Sequence, residues 1–304
     1  MIIEKHNNKR EGERVIMLKY ILKRVGLAIV TIWAVATLTF FLMNLVPGGP
    51  FLSEKAVSPA AMAALEAKYG LDKPLGEQYI TYMTDALHGD FGDSLKQRGR
   101  SVMSIIMTKF PVSAKVGGVA IIVSLCLGVP LGCFAAMHRG KFLDNLISVI
   151  STCGIAVPSF VICTVLMYFL GVNLKILPTY GLSSWKHYIM PVLSLSFYPT
   201  AYIMRLMRSS MLDVLGQDYM RTAKAKGVTE QKRIFKHALR NAILPVITYV
   251  GPMIAYTLTG SFVVEKIFTI PGLGGEFIGS ITARDYPIIM GTTIFLATIM
   301  VIMN

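Results

Sequence analysis

The sequence predicts an all-α protein that crosses a membrane six times, and three observations predict it. Hydrophobic residues fill 54% of its 304 positions and charged residues only 15%, whereas a soluble domain carries about 25% charged residues. Apolar runs lie at 25–46, 116–137, 146–172, 188–207, 242–264 and 287–304, and a bilayer core takes about 20 residues of helix. The basic residues alternate between connecting segments. With the amino terminus inside, segments 1–24, 139–145 and 205–241 hold 18 Lys/Arg against 7 Asp/Glu, while 47–110, 172–187 and 265–286 hold 11 against 10. This is a positive-inside distribution, with the long 47–110 segment discounted. It accounts for the net charge of +13 without a nucleic-acid partner.

Taken in order, 1–24 is a basic segment on the cytoplasmic side, and Met17 is a possible second start. The run 25–46 exceeds the 7–15 apolar residues of a cleaved signal, and no small-x-small site follows it, so it reads as a permanent first span. Residues 47–110 are the one sizeable region outside the membrane, a mainly helical extracytoplasmic loop. It opens with the turn "PGGPF". A helix from Ser58 to Gly70 puts Met62, Leu65 and Tyr69 on one face, with Pro59 at its first position. A second, ending at Gly89, aligns Ile80, Met83 and Leu87. A third aligns Val102, Ile106 and Phe110 and ends before Pro111. These helices either cover a pore mouth or lie in the membrane interface.

The core from 111 to 304 holds the remaining five spans. They contain Pro130, Pro158, Pro191, Pro199, Pro245 and Pro252, and each proline removes a helical hydrogen bond. No Asp or Glu sits at mid-span, which weighs against a proton- or sodium-coupled carrier. Lys115 lies at the outer end of the second span and Arg205 and Arg208 at the inner end of the fourth. Cys126, Cys133, Cys153 and Cys163 all fall within spans, as small buried hydrophobes rather than a disulfide or metal set. Ser159 has no histidine, lysine or acid placed to activate it, and no phosphate-binding G-x-x-x-x-G-K-[ST] loop occurs. The chain is therefore expected to be no enzyme and to bind no metal or cofactor. Gly272, Gly274 and Gly275 read as a turn. The final run stops at "IMVIMN", and the expectation is that the native chain continues.

Residues 218–245, "DYMRTAKAKGVTEQKRIFKHALRNAILP", stand on the inner side between spans four and five. Ala223 and Ala225 favour a short helix, and Gly227 breaks it. Thr229 caps a second helix with Glu230 in its first turn. Phe235, Leu239 and Ala242 share one face there with Ile234 and Ala238, and Lys232, Lys236 and Arg240 take the neighbouring face. On spacing alone, such a helix–bend–helix either lies on anionic lipid or inserts a small-residue tip into a soluble partner.

Arg221-Thr222-Ala223, three residues, Gly227 and nine residues to His237 resemble the coupling loop of ATP-binding-cassette importer permeases. Arg221 replaces that pattern's acid, and "HALRNAILP" delays its proline to Pro245. Both departures are similar to the dipeptide and oligopeptide branch. So are "MLKYILKR", "PGGPF", "HGDFGDS" at 88–94, "FPVSAK" at 110–115, "RSSMLDVL" at 208–215, "PGLGGEF" at 271–277 and "RDYP" at 284–287. Together they resemble the B-type permease subunit of oligopeptide importers over about 280 residues.

The resemblance implies a type I importer permease fold and half of a pore for oligopeptides in the cell membrane. Its partners would be a sister C-type permease, two cytoplasmic D- and F-type ATPases that hold ATP and magnesium, and an extracytoplasmic A-type peptide-binding lipoprotein. A coupling loop at about 209–241 would present Arg221, Thr222, Ala223, Lys224, Ala225, Lys226 and Gly227 to an ATPase. It also implies that the 271–277 turn faces the sister subunit or the lipoprotein. Pro199, Tyr202, Pro252 and Tyr256 are candidates for the translocation path, with helix packing as the competing role. Dipeptides, nickel chelates or another small cargo remain open as alternatives. An autonomous secondary transporter is the reading of a different class.

Overall fold

In the computed structural model the described residues are 2–45, 50–51, 59–259 and 262–303. They form α1 (Ile2–Leu45), α2 (Pro59–Lys68), α3 (Leu75–Leu87), α4 (Val102–Met137), α5 (Phe142–Ala156), α6 (Ser159–Leu166, continued by a π-turn over Met167–Asn173) and α7 (Lys186–Leu215). There follow α8 (Asp218–Ala225), α9 (Glu230–Lys232), a π-segment (Arg233–Ala238), α10 (Leu239–Ala242), α11 (Leu244–Thr259), α12 (Phe262–Ile267), α13 (Leu273–Ala283) and α14 (Tyr286–Met303). Among the described residues, strand pairing is limited to one isolated bridge, Asp93–Ser101. The all-α class is as expected.

Among the described residues, four segments are long and apolar enough to cross a membrane: Met17–Leu45, Val102–Met137, Leu244–Ile267 and Tyr286–Met303. The expected third span is a bent pair, Phe142–Ala156 and Ser159–Asn173, meeting at 103°, and it makes a fifth if counted once. The bend has a local cause. Pro158 cannot continue the hydrogen-bond ladder and forces the residue before it out of helical angles, and Val157 takes φ −81°, ψ 122°. The expected fourth, 188–207, lies inside α7, which is long enough but not apolar enough to be counted. Its polar residues face protein, with Ser194 and Ser196 buried.

The chain divides into two compact units, Met1–Met103 with Ala283–Ile302, and Ser104–Thr282 with Met303–Asn304. In the first, Tyr79 of α3 lies 5.4 Å from the Phe40 ring and shares a 2.8 Å hydroxyl hydrogen bond with Thr37. Met62, Leu65 and Tyr69 are the half-buried face of α2, as their spacing predicts, and Gly70 ends that helix at φ +67°. The face expected for α3 is wrong at two of its three residues: Ile80 and Leu87 are exposed, while Met83 turns inward with Tyr79, Tyr82 and Ala86. Of the "PGGPF" turn, Pro50 and Phe51 are buried in a turn, and the preceding three residues lie outside the described residues.

The first unit is closed by a buried polar cluster. Asp285, 1% exposed, accepts the Ser94 hydroxyl at 2.5 Å and the backbone N–H groups of Leu95 and Lys96 at 3.2 Å each. Ser94 Oγ in turn accepts the N–H of Gln97 at 2.7 Å.

The helix expected to stop before Pro111 does not stop there. Val102–Phe110 are the opening turns of α4, with Pro111 inside the helix. A proline costs one bond, to the carbonyl of Met107, and a long helix buried on one side tolerates that loss. Val102, Ile105 and Ile106 are fully buried.

The second unit is built around α7. A Cβ on Gly128 would stand 2.8 Å from Ile203 Cβ, on Gly132 2.6 Å from the Met204 carbonyl, and on Gly154 2.6 Å from Ala201 Cβ. Small residues on α4 and α5 thus let α7 approach at backbone distance, the usual device of membrane helix packing. Ser124 on α4 also donates to the Ser196 carbonyl at 3.2 Å.

Of the three glycines expected to form a turn, Gly272 stands in a bend, whereas Gly274 and Gly275 belong to the first turn of α13, which packs onto its own neighbours. Leu273 N–H donates to Ser113 Oγ at 2.8 Å, and Gly275 N–H to the Glu265 carboxylate at 2.9 Å. The buried Glu265 thus caps α13. Gly272 is required because a Cβ there would meet Glu265 Oε2 at 2.4 Å. Of the cysteines, Cys163 is buried and Cys133 half-buried, but Cys126 and Cys153 are exposed. The expectation of four buried cysteines is corrected: apolar outer faces of spans accept cysteine as readily as the packed side does.

Candidate functional site

The basic stretch between α7 and α11 folds as a short exposed helix on a rigid mount. Gln217, at φ −72° and ψ 150°, precedes the first turn of α8, where Asp218 stands. At the other end Val228 N–H bonds the Ala223 carbonyl at 3.1 Å and Gly227 N–H bonds the Lys224 carbonyl at 3.0 Å. That pair is a Schellman stop, which needs a left-handed residue one place past the cap. Gly227 supplies it at φ +73°.

The seven residues Arg221–Gly227 form one presented surface. Arg221, Thr222, Lys224, Ala225, Lys226 and Gly227 are exposed and Ala223 is half-buried. Arg221 lies 3.6 Å from Asp218, a fully solvated pair that contributes little. The buried side holds the mount. Met220, 4% exposed, joins a cluster with Met207 and Met211 of α7, Ile234, Ala238, Ala242 and Val246. Asn241 donates to the Tyr219 hydroxyl at 2.9 Å. The inner side of α8 is thus packed in the same cluster as residues of α7 and α11.

The second helix differs from expectation in two ways. Thr229 occupies the N-cap position but makes no side-chain cap bond. Residues Arg233–Ala238 wind as π-helix, whose wider turn stacks Ile234, Ala238 and Ala242, spaced by four, on the buried face. Phe235 is turned out and 66% exposed, so the face assigned to it is wrong, whereas Leu239 is half-buried on the expected side.

Of the path candidates, Tyr202 and Tyr256 belong to one aromatic cluster on α7 and α11. The Tyr202 and Tyr249 rings are 4.4 Å apart, and Tyr198 lies 6.3 Å from both Tyr202 and Tyr256. Pro199 is buried and Pro252 exposed on the same two helices. Tyr198 and Tyr249 were missed, although Tyr198/Tyr202 at i, i+4 and Tyr249/Tyr256 at i, i+7 each share a helix face and could have been found by that period. The hydroxyls of Thr200 and Thr257, on the same helices, are buried without a partner among the described residues. Among those residues no group of three His, Cys, Asp or Glu could hold a metal ion.

Comparison with known proteins bears on this arrangement. Residues 128–304 match the family described as binding-protein-dependent transport system inner membrane component, and residues 17–117 match the N-terminal region of such membrane components. The dipeptide transport system permease protein of Bacillus subtilis is 47% identical over 287 residues, covering 94% of this chain and 93% of that one. The oligopeptide transport system permease protein of Haemophilus influenzae is 42% identical over 290 residues, with 95% of each covered. A solved structure of the MetNI methionine transporter in inward-facing conformations has a TM-score of 0.52 at 17% identity, covering 66% of this chain and 91% of that one. That likeness shows the permease fold.

Proposed function

We propose a peptide-importing role for this chain, which belongs to the family of binding-protein-dependent transport system inner membrane components. It is one of two membrane subunits of an ATP-driven importer and forms half of the pore, with a sister permease as the other half. Its amino terminus lies in the cytoplasm. Two cytoplasmic ATPases hold ATP and magnesium, and an extracytoplasmic binding lipoprotein delivers cargo. The chain itself carries no catalysis and binds no cofactor. Oligopeptides are the main cargo reading. The dipeptide reading stands beside it, because the B. subtilis relative named for dipeptides is 47% identical.

The observation that carries this reading is the geometry of α8. A ligand-free surface loop has no need of a Schellman stop, an exposed basic face and a buried methionine mount in eight residues. A handle pulled by another protein needs all three. ATPase closure pushes on Arg221–Gly227, the Met220 cluster passes the push to α7 and α11, and the tyrosine cluster on those helices lines the path that opens.

Affinity purification of the chain from its native membrane in mild detergent tests this. Recovery of a second permease and two ATPases is the expected result. Recovery of this chain alone, with transport intact, would move the assignment to an autonomous transporter.

A further inference from the structure

The first unit holds a cavity that the importing role leaves unused. Its volume is about 250 Å³, and a cavity of about 150 Å³ already takes a benzene ring. Phe40, Met43, Tyr69, Leu71, Phe91 and Met290 make apolar walls. Three acids, Asp85, Asp90 and Asp93, also line it. Asp90 accepts the Gly92 N–H at 2.9 Å, but the carboxylates of Asp85 and Asp93 have no partner among the described residues. The one lining cation, Lys73, is held by Glu77 at 2.9 Å and so leaves the acidic rim uncompensated. The Tyr82 hydroxyl, also at the cavity, is buried without a partner among the described residues. Burial pushes its ionisation upward, so it remains a neutral donor and acceptor.

Few ligand classes suit that combination. Aromatic walls do not suit a hydrated metal ion, which takes oxygen ligands. A carboxylate or phosphate group is repelled by the acids. A cation joined to an apolar body satisfies both parts, since an apolar pocket with a few placed polar groups is the common form of a small-molecule site.

We propose that this cavity binds the free amino end of a peptide whose first side chain is apolar or aromatic. The ammonium sits at Asp85 and Asp93, the side chain lies between the apolar walls, and the Tyr82 hydroxyl meets the first peptide group. The choice of a peptide rests on the cargo reading above. The site itself is separate from α8 and from the tyrosine cluster.

The test uses the full chain in nanodiscs, titrated with Phe-Gly-Gly by calorimetry. Saturable binding is expected. N-acetylation of the peptide and the double variant Asp85→Asn/Asp93→Asn should each weaken it about tenfold, because two exposed ion pairs at up to about 1 kcal/mol each are lost. Thr81→Trp, at an exposed lining position, should block it, and Glu66→Gln, at an exposed position of α2 outside the lining, should leave it unchanged. Absence of saturable binding, or binding indifferent to Thr81→Trp or to acetylation, overturns the proposal. Uptake of the same peptide by cells carrying the complete transport system is measured in parallel. Intact uptake without cavity binding removes this site and leaves the importing role. Binding without uptake does the reverse.

Discussion

Arg208 on α7 holds both carboxylate oxygens of Asp144, at 2.5 Å from Nε and 2.9 Å from Nη2. The two residues are 64 positions apart, and the same carboxylate accepts the Gly140 N–H at 2.9 Å. The fork-like contact ties the first turn of α5 to the helix that carries Tyr198 and Tyr202.

The two partners differ in burial, and that predicts an asymmetry. Asp144 is 1% exposed, whereas the Arg208 side chain keeps 30% of its surface. Removing the arginine strands a buried carboxylate. Removing the acid leaves a guanidinium that still reaches water. Arg208→Gln should therefore cost about 3 kcal/mol and Asp144→Asn about 1 kcal/mol. Thermal melting of the purified variants in one detergent checks this, and equal or reversed losses would contradict the burial argument.

Asp285 and Ser94 offer a second ranking. The aspartate accepts from one hydroxyl and two N–H groups, so Asp285→Ala leaves two buried donors, the Ser94 hydroxyl and the Leu95 N–H, short of that partner, while Lys96 N–H keeps Ser94 Oγ. Ser94→Ala removes as many bonds, but Lys96 N–H keeps the carboxylate and the loss falls on the part-buried Gln97 N–H and on one oxygen of a carboxylate that retains two donors. About 3 kcal/mol against about 1 kcal/mol is expected from the cost of unmet buried hydrogen bonds. Limited proteolysis of membranes carrying each variant should show faster cutting for Asp285→Ala, and slower cutting than Ser94→Ala would refute it.

Such pairs mark the border of what the sequence makes legible. Helix positions follow from apolar runs and from Gly70, Gly89 and Gly227, because those signals are local. The solvent-free closures are not local: Ser94 meets Asp285 across 191 positions and Ser113 meets Leu273 across 160. Each of those residues stands in or beside a recognisable short motif, yet no periodicity pairs them. Proline was ambiguous for a similar reason. Pro111 stays inside a helix while Pro158 breaks one by 103°, and the difference lies in what surrounds each. Ile80 and Leu87 on α3 and Phe235 on the π-segment were misassigned, whereas Met83, Ile234, Ala238, Leu239 and Ala242 lie on the faces that their spacing predicts. That Arg221–Gly227 form one short exposed helix end was legible, since the seven residues are consecutive and Gly227 closes them.

Gly227 separates backbone strain from contact. A Cβ there meets nothing within 4 Å, but φ is +73°. Asparagine tolerates left-handed angles and valine does not. Gly227→Asn should therefore keep most uptake. Gly227→Val should lose at least about 1 kcal/mol of local stability, distort the Schellman stop and uncouple transport, while the subunit still inserts. Peptide uptake and ATP hydrolysis by the assembled system read this out. Normal uptake with the valine variant would sink the coupling role of α8.

The tyrosine cluster has to be tested as path against packing, and its members differ in a useful way. Tyr202 and Tyr249 are half-buried with rings 4.4 Å apart, so Tyr202→Ala loses a ring pair and about 1 kcal/mol of stability whichever role is correct. Tyr256 is 55% exposed, and truncating it disturbs less packing. If the cluster lines the path, Tyr256→Ala should lower uptake at least about threefold, equivalent to roughly 0.7 kcal/mol, with an unchanged melting temperature. Preference among peptides with aromatic and aliphatic side chains should also shift, since rings contact rings more favourably than chains do. If Tyr256→Ala leaves both rate and preference untouched, the rings serve only to pack α7 against α11, and the path must run along another face of those helices.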